Sequence, residues 1–442
     1  MSVINQSALA YMDQYRSIEH ELPGQSISWL RNQRGQALKC FKSDGFPSLR
    51  EEEWRYTNIS PIERKLFSPS AKAHSEIDES WLNQYRMEGG HNLVFADGHF
   101  VSKYSSVEAL PEGAIVTSIV DALGRFPELV EQSFGQSLKR EKHGFIYFNT
   151  AYFTDGCFVY VPKNTVLEKP VQLLYVNTKE NSSAIIRNLI VAGQGAKAEI
   201  VETYVGSTQQ GYLSTSVTEV SMSENASIDL HKLQFESEKA FHFGGVYVEQ
   251  KPYSIFSHHG FSFGSLLARN EIHTNLERAS ECTLNGLYLA SMRQHIDNHT
   301  RVHHLEPNAI SRETYKGILD EKARGVFQGR IIVHKDAQKT DSDMHNRNLL
   351  LSPDAEVDSK PQLEIYADDV KCAHGVTVGQ IDEESVFYLK SRGVDESTAR
   401  NMLTFAFANE MVEKINNTKL HKVVQHKVLK EFPQIGVRGD WL

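Results

Sequence analysis

Apolar residues recur at helical spacing near the N-terminus, alternate through the middle of the chain, and return to helical spacing after Gly375. In the first stretch Leu9, Met12 and Ile18, with Tyr11 and Tyr15, form one stripe that Pro23-Gly24 ends. A second helix is predicted from Ser28 to Cys40, and helical character returns between about Ile119 and Leu138. Residues 91–104 alternate on either side of Asp97-Gly98 and predict a hairpin. The acidic turn Glu51-Glu52-Glu53 leads into Trp54-Arg55-Tyr56-Thr57, most simply a helix start whose aromatics pack on the body.

From Phe145 onward short strands are predicted: 171–176, 184–192, 199–205, 217–222, 228–233, 245–248, 283–289 and 325–333. A turn residue, an alanine and an alternating strand recur at Ala196, Ala226, Ala279, Ala309, Ala323 and Ala355. Most of the steps between these alanines approximate multiples of one half-unit of about 15 positions. Strand-turn units without helical crossovers favour a β-solenoid, whose coils bury a continuous interior, over a jelly roll or stacked sandwiches. Beyond it, Asp382 is the expected N-cap of a helix that Gly393 closes. Asp395 caps a longer one with Leu403, Ala406, Phe407, Met411 and Ile415 on its apolar side, and a basic helix runs from about Lys419 to Phe432. Phe387, Tyr388, Phe405 and Phe407 offer aromatic area for a partner beyond what packing needs. The division expected is 1–140, largely helical with the hairpin, 141–378, the β region, and 379–442, a helical end.

Composition narrows the classes. The chain has 442 residues, 40% of them hydrophobic, and a net charge of -9, which fits a real core and argues against a dedicated nucleic-acid binder. No apolar run reaches the roughly 18 residues of a membrane span, and the N-terminus lacks a signal-peptide pattern, so the cytoplasm is the expected compartment. Cys40, Cys157, Cys282 and Cys372 are too scattered for a finger or disulfide framework.

Candidate chemistry concentrates at Cys372 and His374. Two positions apart on an extended chain, thiol and imidazole face one side and can serve one site, although two ligands leave a tetrahedral metal site incomplete. Asp368-Asp369 is the first carboxylate pair to consider for a solenoid hydrolase. Twelve of the 19 histidines lie between His231 and His374, which invites a metal or acid-base site there. There is no HExxH, no GxxxxGK[ST] and no complete dinucleotide fingerprint, so no nucleotide is expected on this chain.

A chain of motifs is more specific. Tyr315-Lys316-Gly317, the run Arg324 to Ile331, Ala337 to Asp341, Asn348 to Ser352, Ala355 to Ile365, Cys372-Ala373-His374-Gly375, Phe387-Tyr388-Leu389 and Ser391-Arg392-Gly393 follow one another in order, with Glu53-Trp54-Arg55-Tyr56-Thr57 far upstream. Together they resemble the SufB/SufD family of iron-sulfur cluster assembly scaffolds. Within it the SufD branch is the nearer, since the cysteine-rich N-terminal motif of SufB is missing.

The resemblance implies a mainly β protein, a right-handed parallel β-helix between helical regions, acting as a non-catalytic scaffold. It implies pairing with SufB through the β-helix end and with the ATPase SufC through the C-terminal helices, carried here by Phe387, Tyr388, Phe405 and Phe407. His374, with Cys372 beside it, would bind a nascent iron-sulfur cluster shared with SufB. A cysteine desulfurase and its sulfur carrier act indirectly, a reduced flavin on the complex is allowed, and a homodimer is the expected form without SufB. Two alternatives stand beside this: a structural partner of SufB that supplies no ligand, and a β-solenoid carbohydrate-active enzyme.

Overall fold

The computed structural model describes residues 4–70, 76–207 and 210–431. Its body is a parallel β-solenoid of about eight turns. Each turn gives one strand to each of two sheets. The first sheet contains β1 (Cys157–Val161), β3 (Ser182–Ala192), β5 (Leu213–Met222), β7 (Phe241–Gln250), β9 (Leu267–Leu276), β11 (His295–His304), β13 (Arg324–Val333) and β15 (Glu356–Ile365). The second contains β2 (Val171–Asn177), β4 (Lys197–Gly206), β6 (Ser227–Phe235), β8 (Ile255–Phe263), β10 (Glu281–Ala290), β12 (Ile310–Leu319), β14 (Asp341–Leu350) and β16 (Lys371–Gly379). Every solenoid strand pairs in parallel with the one two places on. A short coil carries Ile255 onto Glu281, and a longer one near the end carries Arg324 onto Glu356.

The recurrent alanine has a steric cause. Ala196, Ala226, Ala309, Ala323 and Ala355 each stand immediately before a strand and are buried. At Ala196, Ala226 and Ala323 the backbone N–H closes a tight turn onto the carbonyl three positions back. A side chain at such a corner points into the interior, where little more than a methyl group fits. The long step from Ala226 to Ala279 spans coils in which Ser254 and Ser280, both fully buried, take the alanine's place. Ala279 corrects the expectation by one position: it lies in the turn itself with a φ of 53°, in the left-handed region that Gly195 occupies in an earlier coil at 68°.

The unpredicted strands β8, β9, β11 and β14 run through sequences such as HIDNHTRVHH and DSDMHNRNLL. Polar side chains there point both inward and outward, several of them bonded to one another, which erases the alternation that marks a half-buried strand. His304 Nε2 meets Ser311 Oγ at 2.9 Å, Ser311 meets Ser342 at 2.7 Å, and the Tyr288 hydroxyl donates to Asn348 at 2.5 Å.

Helices α1 (Ile4–Ile18), α2 (Ser28–Asp44) and α3 (Gly144–Tyr152) cover the outer face of the first sheet through an aromatic cluster that includes Phe41, Phe46, Phe148 and Tyr152. Helix α3 falls where strands were expected. It is buried on nearly every side, so no polar face betrays its period. The hairpin forms between His91–Ala96 and His99–Phe100 about Asp97-Gly98, and a short helical turn at Ser102–Tyr104 ends it earlier than predicted.

At the other end, α4 (Glu383–Ser391) and α5 (Glu396–Val412) are capped as expected. The Asp382 carboxylate accepts from the Glu384 and Ser385 amides and that of Asp395 from Thr398. With α6 (Thr418–Glu431), α5 lies on the outer face of the second sheet; Phe432 and the residues after it fall outside the described ones. The buried stripe of α5 is Phe405, Ala408, Met411 and Val412, continuing to Ile415, while Ala406 is exposed. The stripe is therefore rotated from the predicted one.

Candidate functional site

The last coil ends the solenoid without a cap among the described residues. Among the described residues strand β15 pairs only with β13 and β16 only with β14, so each sheet offers one free edge at this end among them. In-register stacking carries interior columns to that end. Leu230, His258, Leu284, Glu313, Met344 and His374 form one column, and Ile228, Phe256, Cys282, Ser311, Ser342 and Cys372 another. Every member but the last is buried in both columns. Cys372 and His374 thus occupy interior positions with no further coil above them. Beside them Val376, Val378, Ile365 and Tyr366 are exposed, Tyr366 to 63%.

Cys372 is half-buried against the core, and burial, then the neighbouring Asp341 carboxylate, push its thiol above the usual range. Around it Arg312, Asp341, Ser342, Asp343, Lys371 and Ala373 line a shallow depression, where Arg312 pairs with Asp341 at 2.9 Å. His374 is exposed, two positions along the same strand. Among the described residues no group of three or more His, Cys, Asp and Glu side chains is arranged to hold a metal ion. On this chain the pair presents two donors side by side along one strand, a soft thiol and a borderline imidazole.

The other candidates separate. Phe387 (74% exposed) and Tyr388 (58%) stand out from α4, with the Arg392 guanidinium 5.2 Å from the Tyr388 ring centre. Phe405 is withdrawn from any partner surface: only 6% exposed, it packs with Ala408, Met411 and the second sheet. Phe407 is partly buried there, with the Lys316 ammonium 4.3 Å from its ring centre. Helix rotation accounts for both corrections, since the face that meets the sheet is one that spacing alone placed differently.

Asp368 and Asp369 lie on an exposed turn, and Asp369 is taken by Lys339. The crowded histidines are largely absorbed into structure: His242 by Glu236 at 2.7 Å, His273 by Glu141 at 2.9 Å, His299 by Asp297 at 2.9 Å. No disulfide joins the four cysteines.

Residues that spacing could not single out include Glu313, whose carboxyl is pushed up to about 7 by burial, slightly opposed by the Thr300 hydroxyl, and Lys232, pushed down to about 8 by burial against the pull of Glu202 and Glu236. Only the register, which places both inside the solenoid, reveals them.

The SUF system FeS cluster assembly SufBD core domain matches residues 175–407, and the SufBD protein N-terminal region matches 5–173. The chain belongs to the SufBD family. It is 30% identical to the iron-sulfur cluster assembly protein SufD of Escherichia coli over 408 residues, covering 91% of this chain and 93% of that one. An iron-sulfur cluster assembly SufBD family protein of Synechocystis is 31% identical over 89% of each chain, and SufD of Bacillus subtilis is 24% identical over 91% of this chain and 95% of its own. The resemblance first seen in scattered motifs thus extends over nearly the whole chain. Iron-sulfur cluster assembly is the work of this family. Among the described residues no helix is long and apolar enough to cross a membrane.

Proposed function

We infer that the open end of the solenoid is a docking face for a second SufBD solenoid of the SufB kind, and that a nascent iron-sulfur cluster is assembled across the seam. The observation that carries this reading is the uncapped last coil. Two free strand edges beside exposed Val376, Val378 and Ile365 are a surface that soluble proteins cover or blunt, and a second solenoid continues both sheets with the same geometry. Cys372 and His374 then meet donors from the partner, and thiolate and imidazole are both suited to iron. The cluster is cargo, and the chain acts as a scaffold in the cytoplasm. Sulfur from a cysteine desulfurase and its carrier, and a reduced flavin on the complex, belong to the same reading.

His374→Ala is expected to leave the complex with the partner scaffold intact but to abolish its cluster loading, read as visible absorbance and bound iron after reconstitution. Unchanged loading would remove the ligand role and leave a purely structural partner.

The ATPase of the SufC kind is assigned to α4 through Phe387 and Tyr388. Asp382 and Asp395 cap the two helices of this elbow, and α5 rests on β10 and β12, so ATP-driven movement of the ATPase reaches the seam through packed elements. The double variant Phe387→Asp, Tyr388→Asp is expected to lose co-purification with the ATPase while changing stability by no more than about 0.5 kcal/mol, because both side chains are exposed. Retained ATPase in a pull-down would move the docking site elsewhere.

A further inference from the structure

The Glu52-Glu53-Trp54 segment, followed by Thr57, crosses the outer face of the first sheet and touches five neighbouring strands of it, β7 to β15. Trp54 stacks on Phe145 and Phe243, at 5.4 and 6.2 Å and 18° in each case, and lies under the Arg269 guanidinium of β9 at 3.6 Å. The Arg269 guanidinium also donates to the Glu53 carbonyl at 2.9 Å. On β11 the Thr57 hydroxyl donates to Asp297 at 2.5 Å and meets His295 at 3.0 Å, while the Glu53 carboxylate pairs with Arg301. On β13 the same carboxylate faces Arg330 at 3.8 Å, and Arg330 donates in turn to Glu364 of β15 at 2.7 Å. Glu52 accepts directly from Lys360 of β15 at 2.5 Å.

The strap therefore reaches the terminal edge strand twice, once directly and once through Arg330. Its inner half is anchored in the core by Trp54, which is buried, and its outer half grips a strand that has a neighbour on one side only. Such an edge opens locally more readily than interior strands, and ties along its outer face set how often it does so.

We propose that this strap is a positioning element for the open end. Glu52, acting through Lys360, holds β15 in register with β13, so that the N-terminal region fixes the edge offered to a partner scaffold. The inference rests on the docking role of that end. Glu52 is a positioning residue only, far from the thiol and imidazole of β16 in sequence and on the outer face of the opposite sheet.

The test is hydrogen-deuterium exchange over residues 356–365 of the full chain in Glu52→Lys, Lys360→Glu and the double charge swap, with capture by the partner scaffold measured on the same proteins. Each single reversal is expected to speed exchange of β15 roughly two- to fivefold and to weaken capture, and the swap to restore both. Unaltered exchange in the single variants, a swap no better than either single, or altered exchange with unchanged capture would overturn the proposal. Failure of the docking role itself looks different: the unmodified chain would then capture no partner.

Discussion

Arg269→Met is expected to lower the stability of the chain by about 3–5 kcal/mol, read as a shift of the urea midpoint. Arg269 is fully buried, and its guanidinium donates to Glu271 at 2.8 Å, to Asp297 at 2.7 Å and to the Glu53 carbonyl at 2.9 Å while covering the Trp54 ring. Burial by itself would raise both carboxyls. Instead His299 and Arg269 hold Asp297 well below the usual carboxylate range, and His143 and Arg269 do the same for Glu271. Methionine matches the bulk of the side chain and removes its charge, leaving two carboxylates without their shared cation in a site that excludes water. The loss is thus the cost of orphaned anions rather than of a cavity. Trp54 emission should shift toward exposed values at lower denaturant than the global transition, because the strap loses its central anchor first. A midpoint shift equivalent to less than about 1 kcal/mol would mean that His143 and His299 balance the two carboxylates unaided.

That network also marks the limit of what sequence alone reveals. Trp54 packs on the body as expected, since a large aromatic beside a helical start has few alternatives. Its anchor Arg269, however, lies far along the chain on β9, at a position whose role depends on strand register. The solenoid itself is legible because every coil repeats one steric demand, a small residue at the inward corner, and alanine satisfies it often enough to show a period. In the coil that uses Ser254 instead, neither β8 nor β9 shows in the sequence. At the site, Cys372 and His374 stand out through their alternate spacing together with motif resemblance. Their setting at the end of two interior columns does not, because stacking is set by partners a full coil apart. Phe405 is misassigned for a related reason: an amphipathic helix with aromatics on adjacent faces does not announce which face meets the sheet.

Glu313→Gln is expected to raise stability at pH 8 by about 1–3 kcal/mol and to leave it nearly unchanged at pH 5. Glu313 stands in the same interior column as His374, one coil below Met344, and burial holds its carboxyl near 7 against a usual value near 4.5. The folded chain therefore keeps this proton where the unfolded chain has released it. Between the two values the folded state binds more protons, so stability falls as pH rises from about 4.5 to about 7 and levels off above, a loss of about 3 kcal/mol from this group. Glutamine keeps the shape and abolishes the ionisation. The difference between the two proteins should then open across that window and stay constant above it, which isolates Glu313 from the histidines and carboxylates that titrate in both. Urea unfolding at pH 5, 6, 7 and 8 measures it. Parallel stability curves would show that Glu313 titrates normally, with water reaching the column from the open end, and would place the solvent boundary of the last coils below Met344.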